Sequence, residues 1–470
     1  MNSFVNFPAA LVPMLQQGFL ERELEEGLDS ELAYRREAYQ ETIPVRIGET
    51  ITRSRKSRKA PITAPLNPSS DTGLDNGLTS GTFSVEQYSF TMQRYADTVD
   101  INMADDLAGI ADQLIANSRN NGVQAAQSLE RIARSRLFTA YQGGNTRVRT
   151  DLGASTTTTC HVDDISGFTT VLVNGVPTGI SSANPITVTE TAVSNSGVSQ
   201  TLTVTAAAAD ATNQSTNPNG ISGTLTFTAA TAPVNGDALV AVNAPKIIRP
   251  YGYLTTAQLN GSDTLTMGLI EDGVAYLRDN GVPPMEDGTY HCILDNTSMR
   301  QLWADQDFKV LFAGRADSTE FRKARVVELL GVTYIPTTEA FVQPAGYAWG
   351  GTSPNFSYGP GSTATSPSAV TTTIRRPILM GAESIIQGNF QGIEEYANRE
   401  GVDMIGAMFL VNNVVQILRP PLDRLQQTAS LSWMWIGDFA VPTDITATTA
   451  IIPTASNALY KRALVIEHGS

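Results

Sequence analysis

Leucines recur at every fourth position near the start of the chain, and mostly polar and charged residues fill the positions between them. The stretch covers residues 19–38, with the sequence FLERELEEGLDSELAYRREA. Its stripe consists of Leu20, Leu24, Leu28 and Leu32. This spacing predicts an amphipathic helix with one narrow apolar face. Two interpretations are open: the face packs on its own domain, or it belongs to an N-terminal arm that docks on a neighbouring subunit.

A second helical pattern covers residues 102–141 and is the strongest in the chain. Its apolar positions are Leu107, Ile110, Leu114, Leu129, Ile132, Leu137, Phe138 and Tyr141. Gly143 and Gly144 supply a natural end. A continuous helix of this length would span about 60 Å. Because glycine inside a helix costs up to ~1 kcal/mol, the triplet at residues 120–122 is the expected position of a kink or a break.

The periodicity changes after this helix to an alternation of apolar residues with threonine. Strand candidates lie at residues 186–193, 199–206 and 221–229, and Ser, Asn, Gly and Pro separate them. Between Thr150 and Pro245 there is no Lys or Arg, although the whole chain has 32. This composition predicts an all-β insert, a small sandwich or barrel, within a helical and mixed host. Immunoglobulin-like modules have this pattern, but their Cys-Trp-Cys signature is absent, which leaves the topology open.

Residues 47–94 predict a long exposed excursion with two extended arms. A basic cluster opens it, prolines and a Gly-rich turn region follow, and an alternating strand-like segment closes it. The cluster consists of Arg53, Arg55, Lys56, Arg58 and Lys59. No aromatic residue is interleaved for base stacking, which argues against a nucleic-acid site. We expect these residues to contact an acidic neighbouring subunit; a solvated run of charge is the alternative.

An α/β rhythm resumes after Lys246. Asp263 is expected to cap a helix that ends at Asn280, a strand follows, and a second helix runs through Phe308. Residues 344–373 are rich in Gly, Ser, Pro and Thr and predict an exposed loop. The remainder of the chain is β-rich.

Charge and candidate chemistry exclude several functions. The net charge of −14 argues against wholesale nucleic-acid binding. No nucleotide-binding, nucleophile-elbow or zinc-protease motif occurs. The pairs Cys160-His161 and His291-Cys292 are poor zinc ligands, because neighbouring side chains of a strand point to opposite faces. We therefore expect no metal, no cofactor and no enzymatic activity.

The start of the chain lacks a secretory signal pattern, and no apolar run reaches the ~18 residues that a membrane span needs. Two cysteines in 470 residues agree with a reducing compartment. These observations predict a soluble protein made in a cytoplasm.

The order of these parts resembles the major capsid proteins of tailed bacteriophages. The matching parts are the N-terminal helical arm, the long loop with its basic residues at 53–59, the helix at 102–141, and an α/β region with helices at 264–280 and 296–308. Late segments are also similar to that family: LLGVTYIPT, MGAESIIQGNFQG and SNALYKRALVIEH. The resemblance covers the whole host and rests on architecture rather than on an invariant motif.

The resemblance implies an α+β chain with the Hong Kong phage capsid fold, which has an axial domain, a peripheral domain with a long spine helix, an extended loop and an N-terminal arm. The resemblance divides the chain into 1–46 N-terminal arm, 47–95 extended loop, 96–149 peripheral domain, 150–245 all-β insertion domain, 246–374 axial domain, and 375–470 a β-rich closing segment shared by the peripheral and axial domains. Some relatives join an extended-loop lysine to a neighbour's asparagine, but no motif here identifies such a partner.

The implied function is self-assembly into an icosahedral shell of hexamers and pentamers around double-stranded DNA, without sequence-specific binding and without a membrane. Scaffolding, portal and decoration proteins are the implied partners. The location would be the virion capsid, assembled in the bacterial cytoplasm. Two alternatives remain: a bacterial surface or adhesion protein whose Thr-rich module binds a ligand, and an enzyme of unfamiliar type.

Overall fold

The structure is a computed structural model of the 470-residue chain. It describes residues 19–28, 33–43, 50–56, 61–63, 85–102, 110–148, 157–162, 164–165, 167–173, 176–191, 199–209, 223–231, 233, 237–241, 244–253, 259–313, 328–343, 373–392, 407–419, 428–442 and 461–470. The exposed loop predicted at 344–373 falls outside these residues, except for Thr373.

A long helix forms the spine of the molecule. Helix α2 covers Ile110–Gln142, and the shorter helix α1, Phe19–Leu28, packs along it. With 33 residues, α2 extends about 50 Å. It continues without a break through Gly122, so a break of the helix at this triplet is excluded. A Cβ atom at Gly122 would lie 2.6 Å from the Leu24 carbonyl oxygen, which means that this glycine allows the two helices to approach closely.

A six-stranded sheet lies against the spine helix. Its path is β1-β20-β23-β22-β21, and β4 pairs with part of β23. The strands are β1 Tyr39–Ile43, β4 Gln93–Asn102, β20 Ile386–Phe390, β21 Ala407–Val411, β22 Val414–Arg419 and β23 Thr428–Ala440. Trp433, Trp435 and Phe439 of β23 share one apolar cluster with Leu129 and Leu137 of α2. We call this sheet the central sheet.

A second six-stranded sheet carries three helices and has its own apolar cluster. Its strands, in spatial order, are β13 Ile247–Ile248, β24 Ala463–Ile466, β19 Ile378–Met380, β14 Tyr290–Leu294, β16 Val332–Pro336 and β15 Glu328–Leu329. The helices are α3 Met267–Asp279, α4 Asn296–Ala304 and α5 Gln306–Ala313. Three short strands form a separate small sheet: β17 Val342–Gln343, β18 Ile374–Arg375 and β25 His468–Gly469.

Two helix predictions in this region need correction. Asp263 does not cap α3: the residue at the N-cap is Thr266, and the Asp263 carboxylate instead accepts a hydrogen bond from the backbone of Asn260 at 2.7 Å. The helix predicted to run through Phe308 is two helices, because Asp305 between them has extended backbone angles. Asp295, by contrast, caps α4 by accepting from the backbone N–H groups of Thr297 and Ser298.

The stretch without Lys or Arg forms a sheet of its own, in the order β5-β12-β9-β10-β11-β6. Its strands are β5 Asn145–Arg147, β6 Thr157–Val162, β9 Ile186–Thr191, β10 Ser199–Ala209, β11 Gly223–Thr231 and β12 Ala238–Ala241, with the hairpin β7 Thr170–Val173 and β8 Val176–Gly179 in addition. A bridge from Val148 to Val162 joins the two edges of the sheet. This single bridge brings the two edge strands together, and the choice between a sandwich and a barrel stays a prediction. We call residues 145–241 the β module.

The module begins earlier than the composition indicates. Strand β5 precedes residue 150 and contains Arg147, yet it pairs with β12 at the edge of the module's sheet. Threonines occupy partly exposed positions while Val188, Val204 and Phe227 are buried in a separate apolar cluster. The sequence alternation thus marks the two faces of this sheet correctly.

The predicted arms of the excursion are confirmed. Strands β2, Thr50–Lys56, and β3, Val85–Thr91, pair antiparallel along their full length. Among the described helices, none combines the length and the apolar character that a membrane span requires.

Candidate assembly surface and its internal anchors

The leucine stripe lies partly in the core of its own chain. Leu24 and Leu28 are 0% exposed and belong to the same apolar cluster as Leu129 of the spine helix. This placement favours packing within the subunit for these two residues. The side chains of Leu20 and Leu32 lie outside the described residues, and docking of the stripe on a neighbour stays a prediction.

The basic cluster lies on the first arm of the hairpin. Arg53 of β2 forms an ion pair of 2.5 Å with Glu41 of β1, so its carboxylate partner is in its own chain. Arg55 and Lys56 occupy positions opposite Glu86 and Val85 in the strand register. Arg58 and Lys59 lie outside the described residues. Contact of the cluster with a neighbouring subunit remains a prediction.

The base of the hairpin is fixed firmly to the central sheet. Ile51 and Phe90 are buried with Ile43 and Ile386 in a small apolar cluster. The buried carboxylate of Asp438 accepts a hydrogen bond of 2.9 Å from the backbone of Thr91 and lies 3.1 Å from the Arg136 guanidinium. The pairing of β2 and β3 extends beyond this base, and among the described residues neither strand pairs with another strand.

A turn between α1 and β1 connects three parts of the molecule. The carboxylate of Glu130, buried on the spine helix, accepts hydrogen bonds from the backbone N–H groups of Tyr34 at 2.8 Å and Arg35 at 2.9 Å. The buried Arg35 side chain donates to Gln387 of β20 and to the carbonyl of Asn412, which lies between β21 and β22. We call residues 33–38 the arm turn.

The same turn also reaches the second sheet. Glu37 lies in hydrogen-bond contact with Nδ1 of His291, a residue of β14, and Nε2 of the same ring is 2.8 Å from Asp287. Partial burial lowers the pKa of His291, but the hydrogen bonds to the two carboxylates outweigh it, so the pKa is raised overall. Burial raises the pKa of Glu130 to about 7, although hydrogen bonds from the arm turn oppose this.

A buried ion cluster lies where the β module leaves and rejoins the rest of the chain. Glu467 is fully buried and binds Arg249 at 2.6 Å and Arg376 at 2.8 Å. Gln142, the last residue of α2, donates to the same carboxylate at 3.2 Å. Buried charges of this kind need such pairing, because desolvation of a lone ion is costly. We call these four residues the Glu467 cluster.

The β module contains a buried carboxyl pair. Glu190 and Asp237 are each 1% exposed, and Gln200 donates to Glu190 at 2.5 Å. Burial and the interaction with Asp237 raise the pKa of Glu190 to about 7. The pair therefore carries a proton more readily than two separated carboxyl groups.

Metal chemistry finds no support among the residues described. Cys160 and Cys292 are both buried, but in different apolar clusters, and His291 points to carboxylates rather than to a sulfur. No group of three or more potential ligands occurs within the described ranges. The two Cys-His pairs thus do not converge, as the strand geometry indicates.

Comparisons with known proteins give the following result. No protein-family model and no curated protein matches the chain. Among solved structures, the chain is similar to the capsid of Ralstonia phage GP4, at 11% identity and a TM-score of 0.45, with 94% of this chain and 93% of that chain covered. It is also similar to the capsid of cyanophage Pam1, at 11% identity and a TM-score of 0.44, with 94% of each chain covered. It is also similar to the capsid of cyanophage P-SCSP1u, at 10% identity and a TM-score of 0.43, with 93% of this chain and 88% of that chain covered.

Each of these structures is a bacteriophage capsid. Identity near one residue in ten carries no residue-level information.

The sequence patterns do not identify several residues that organise the fold. Glu130 has a detectable signal, since it is a charge beside Leu129 on the buried face of a helix. Glu467 directly follows the apolar strand β24 and has a weaker signal of the same kind. The partners of both residues are distant in sequence, so no local pattern reveals them.

Proposed function

We propose that this chain is the major capsid protein of a tailed bacteriophage, a structural subunit that self-assembles as hexamers and pentamers into an icosahedral shell around double-stranded DNA. The observation that carries the proposal is the hairpin of β2 and β3. Its base is anchored by Phe90 and Asp438, while the rest of the pair extends from the central sheet. A two-stranded hairpin is marginal in water on its own, so it favours a protein that is completed by other copies of itself.

The remaining architecture supports the same proposal. A spine helix under the central sheet would form the peripheral domain, the second sheet would form the axial domain, and the β module would be an insertion domain, as in the Hong Kong phage type of fold. The division at residues 1–46, 47–95, 96–149, 150–245, 246–374 and 375–470 belongs to this proposal, with β5 as an earlier start for the insertion.

The proposed contacts between subunits use the excursion and the N-terminal arm. Arg55, Lys56, Arg58 and Lys59 would face acidic residues of an adjacent copy, whereas Arg53 already has Glu41. For the leucine stripe, Leu20 and Leu32 are the remaining candidates. Scaffolding, portal and decoration proteins would be further partners.

Enclosure of DNA would not require tight binding of the DNA. The net charge of −14 favours a wall that repels packaged DNA and lets it slide. The protein would be assembled in the bacterial cytoplasm and reside in the virion capsid. Its role would be structural rather than enzymatic, and nothing in the described residues favours the adhesion alternative.

Electron microscopy of the purified chain tests the proposal. We expect closed shells of uniform diameter after bacterial expression, and we expect their yield to fall when Arg55, Lys56, Arg58 and Lys59 are all replaced by Gln. Individual exposed ion pairs contribute only ~0.2–1 kcal/mol, so single replacements should have little effect.

The matched control is a fourfold variant at exposed basic residues outside the excursion and the N-terminal arm, with Lys246, Arg300, Lys309 and Arg419 replaced by Gln. It changes the net charge equally and should leave the yield unchanged. A folded chain that remains monomeric over a range of protein and salt concentrations would contradict the shell function. Normal assembly of the excursion variant would contradict only the role of the cluster.

A further inference from the structure

The arm turn is held by ionisable groups rather than by apolar packing alone. Within six residues it contributes two backbone N–H groups to Glu130, a guanidinium to Gln387 and Asn412, and a carboxylate to His291. These partners belong to the spine helix, the central sheet and the second sheet. Release of the turn would therefore loosen the connection between all three.

The geometry at His291 requires a charged ring. Glu37 contacts one ring nitrogen and Asp287 contacts the other. An ionised carboxylate only accepts hydrogen bonds, whereas a neutral imidazole has one donor and one acceptor nitrogen. Both contacts are satisfied together only when both nitrogens carry a proton. Loss of one proton places a nitrogen lone pair against a carboxylate.

We propose that the arm turn is a proton-dependent latch: it holds the segment between α1 and β1 closed while His291 is protonated, and it opens as the pH rises. This role is independent of shell formation. The arm turn would be held at this point in mildly acidic solution and would loosen as the pH rises through the folded-state pKa of His291.

The charged groups that face His291 and Glu130 come from several elements. Around His291 they are Glu37 and Asp287, with Arg36 pairing with Glu37 from an exposed position at 3.4 Å. Around Glu130 they are Arg35 of the arm turn and Arg134 one helical turn further along the spine helix, which in turn lies 3.6 Å from Glu339. Glu37 and Asp287 favour the protonated form of the ring. Arg36 is mostly exposed, so its ion pair with Glu37 does not offset this effect.

The sign of the effect follows from proton linkage. The folded-state pKa of His291 is raised above 6.5, so its stabilisation is complete below that pH and is lost as the pH rises through the folded-state value. Glu130 does not share this direction: burial raises its pKa to about 7, but the N–H groups of the arm turn bind its ionised form, so its contacts with the turn are retained as the pH rises. His291 is therefore the group that weakens the latch as the pH increases.

Hydrogen exchange of the full-length protein at pH 6 and pH 9, corrected for intrinsic rates, tests the latch. We expect the amides of residues 33–38 to lose protection at the higher pH, by about tenfold for each pKa unit by which folding raises the pKa of His291. In His291→Gln the protection should be lower at pH 6 and nearly independent of pH. In Asp287→Asn the loss should begin at a lower pH, because one of the two carboxylates that favour the proton is gone.

His161→Gln is the matched control, because this histidine lies in the β module and contacts Thr224. It should retain the wild-type pH dependence at residues 33–38. Equal pH dependence in wild type and His291→Gln would overturn the proposal, as would constant protection in wild type.

If His291→Gln fails to fold, ¹⁵N NMR of the ring nitrogens in the wild-type subunit decides the question, since the chain has only three histidines. A His291 ring that loses its second proton at a higher pH than in an unfolded peptide supports the latch. A ring that loses this proton at the same pH as in the peptide, or at a lower one, overturns it.

Discussion

The carboxylate of Glu467 holds two buried guanidinium groups, and replacement by Gln tests how strongly the fold depends on it. The substitution preserves shape but removes the charge that binds Arg249 at 2.6 Å and Arg376 at 2.8 Å. All three side chains are nearly inaccessible to solvent, so the two cations would remain buried without their counterion. Removing one partner from a buried ion pair costs about 3–5 kcal/mol. We expect a loss of this size in the free energy of unfolding.

Denaturant unfolding of dissociated subunits measures the loss. Glu383→Gln is the matched control, because its carboxylate lies 2.9 Å from Arg462 but its side chain is 41% exposed. An exposed pair contributes at most about 1 kcal/mol. A second variant, with Met at positions 249, 376 and 467, replaces the whole ion group by apolar side chains and should be less destabilised than Glu467→Gln. The reasoning is refuted if Glu467→Gln and Glu383→Gln lose equal stability.

Three further predictions concern other parts of the chain. Leu24→Ala should lower the free energy of unfolding by about 2–5 kcal/mol, because Leu24 is buried in the core, and denaturant titration measures this loss. Loss of assembly with unchanged subunit stability would instead support docking on a neighbour. The stability of the β module should fall between pH 4.5 and 7, because the folded-state pKa of Glu190 is raised, and thermal melts of Glu190→Gln should lack this slope. A fragment of residues 143–245 should fold alone and give dispersed amide NMR signals. A fragment of residues 152–243 should be less stable because it lacks β5, and equal stability of the two fragments would contradict a role of β5 in the module.

The sequence predicts those parts of the fold that depend on local periodicity. The spine helix, the strand alternation of the β module and the two arms of the hairpin all follow from residues close together in the chain. The predicted break at Gly122 is wrong. This glycine allows close approach of Gly27 on the neighbouring helix, which is far away in sequence. Local propensity describes the cost of glycine in a helix but not the benefit of close packing between two helices.

The same limit applies to the polar anchors. Asp263 was expected to cap a helix because aspartate often precedes one, yet Thr266 stands at the N-cap of α3 and Asp263 binds the backbone of Asn260. Glu130 and Glu467 bind residues that are distant in sequence. Their roles depend on which elements the complete fold brings together, and a single sequence contains no record of that pairing.

The Glu467 cluster also explains how the host accommodates the β module. The chain leaves the spine helix at Gln142 and returns at Arg249, and both residues bind the same carboxylate. Strand β13 then pairs with β24 in parallel register, so the host sheet resumes directly after the module. The entropic cost of closing a loop rises only slowly with its length, so a segment whose ends meet at one fixed point adds little to the cost of folding the rest of the chain. All four residues of the Glu467 cluster lie outside residues 145–241, so substitutions within the β module would leave these contacts in place.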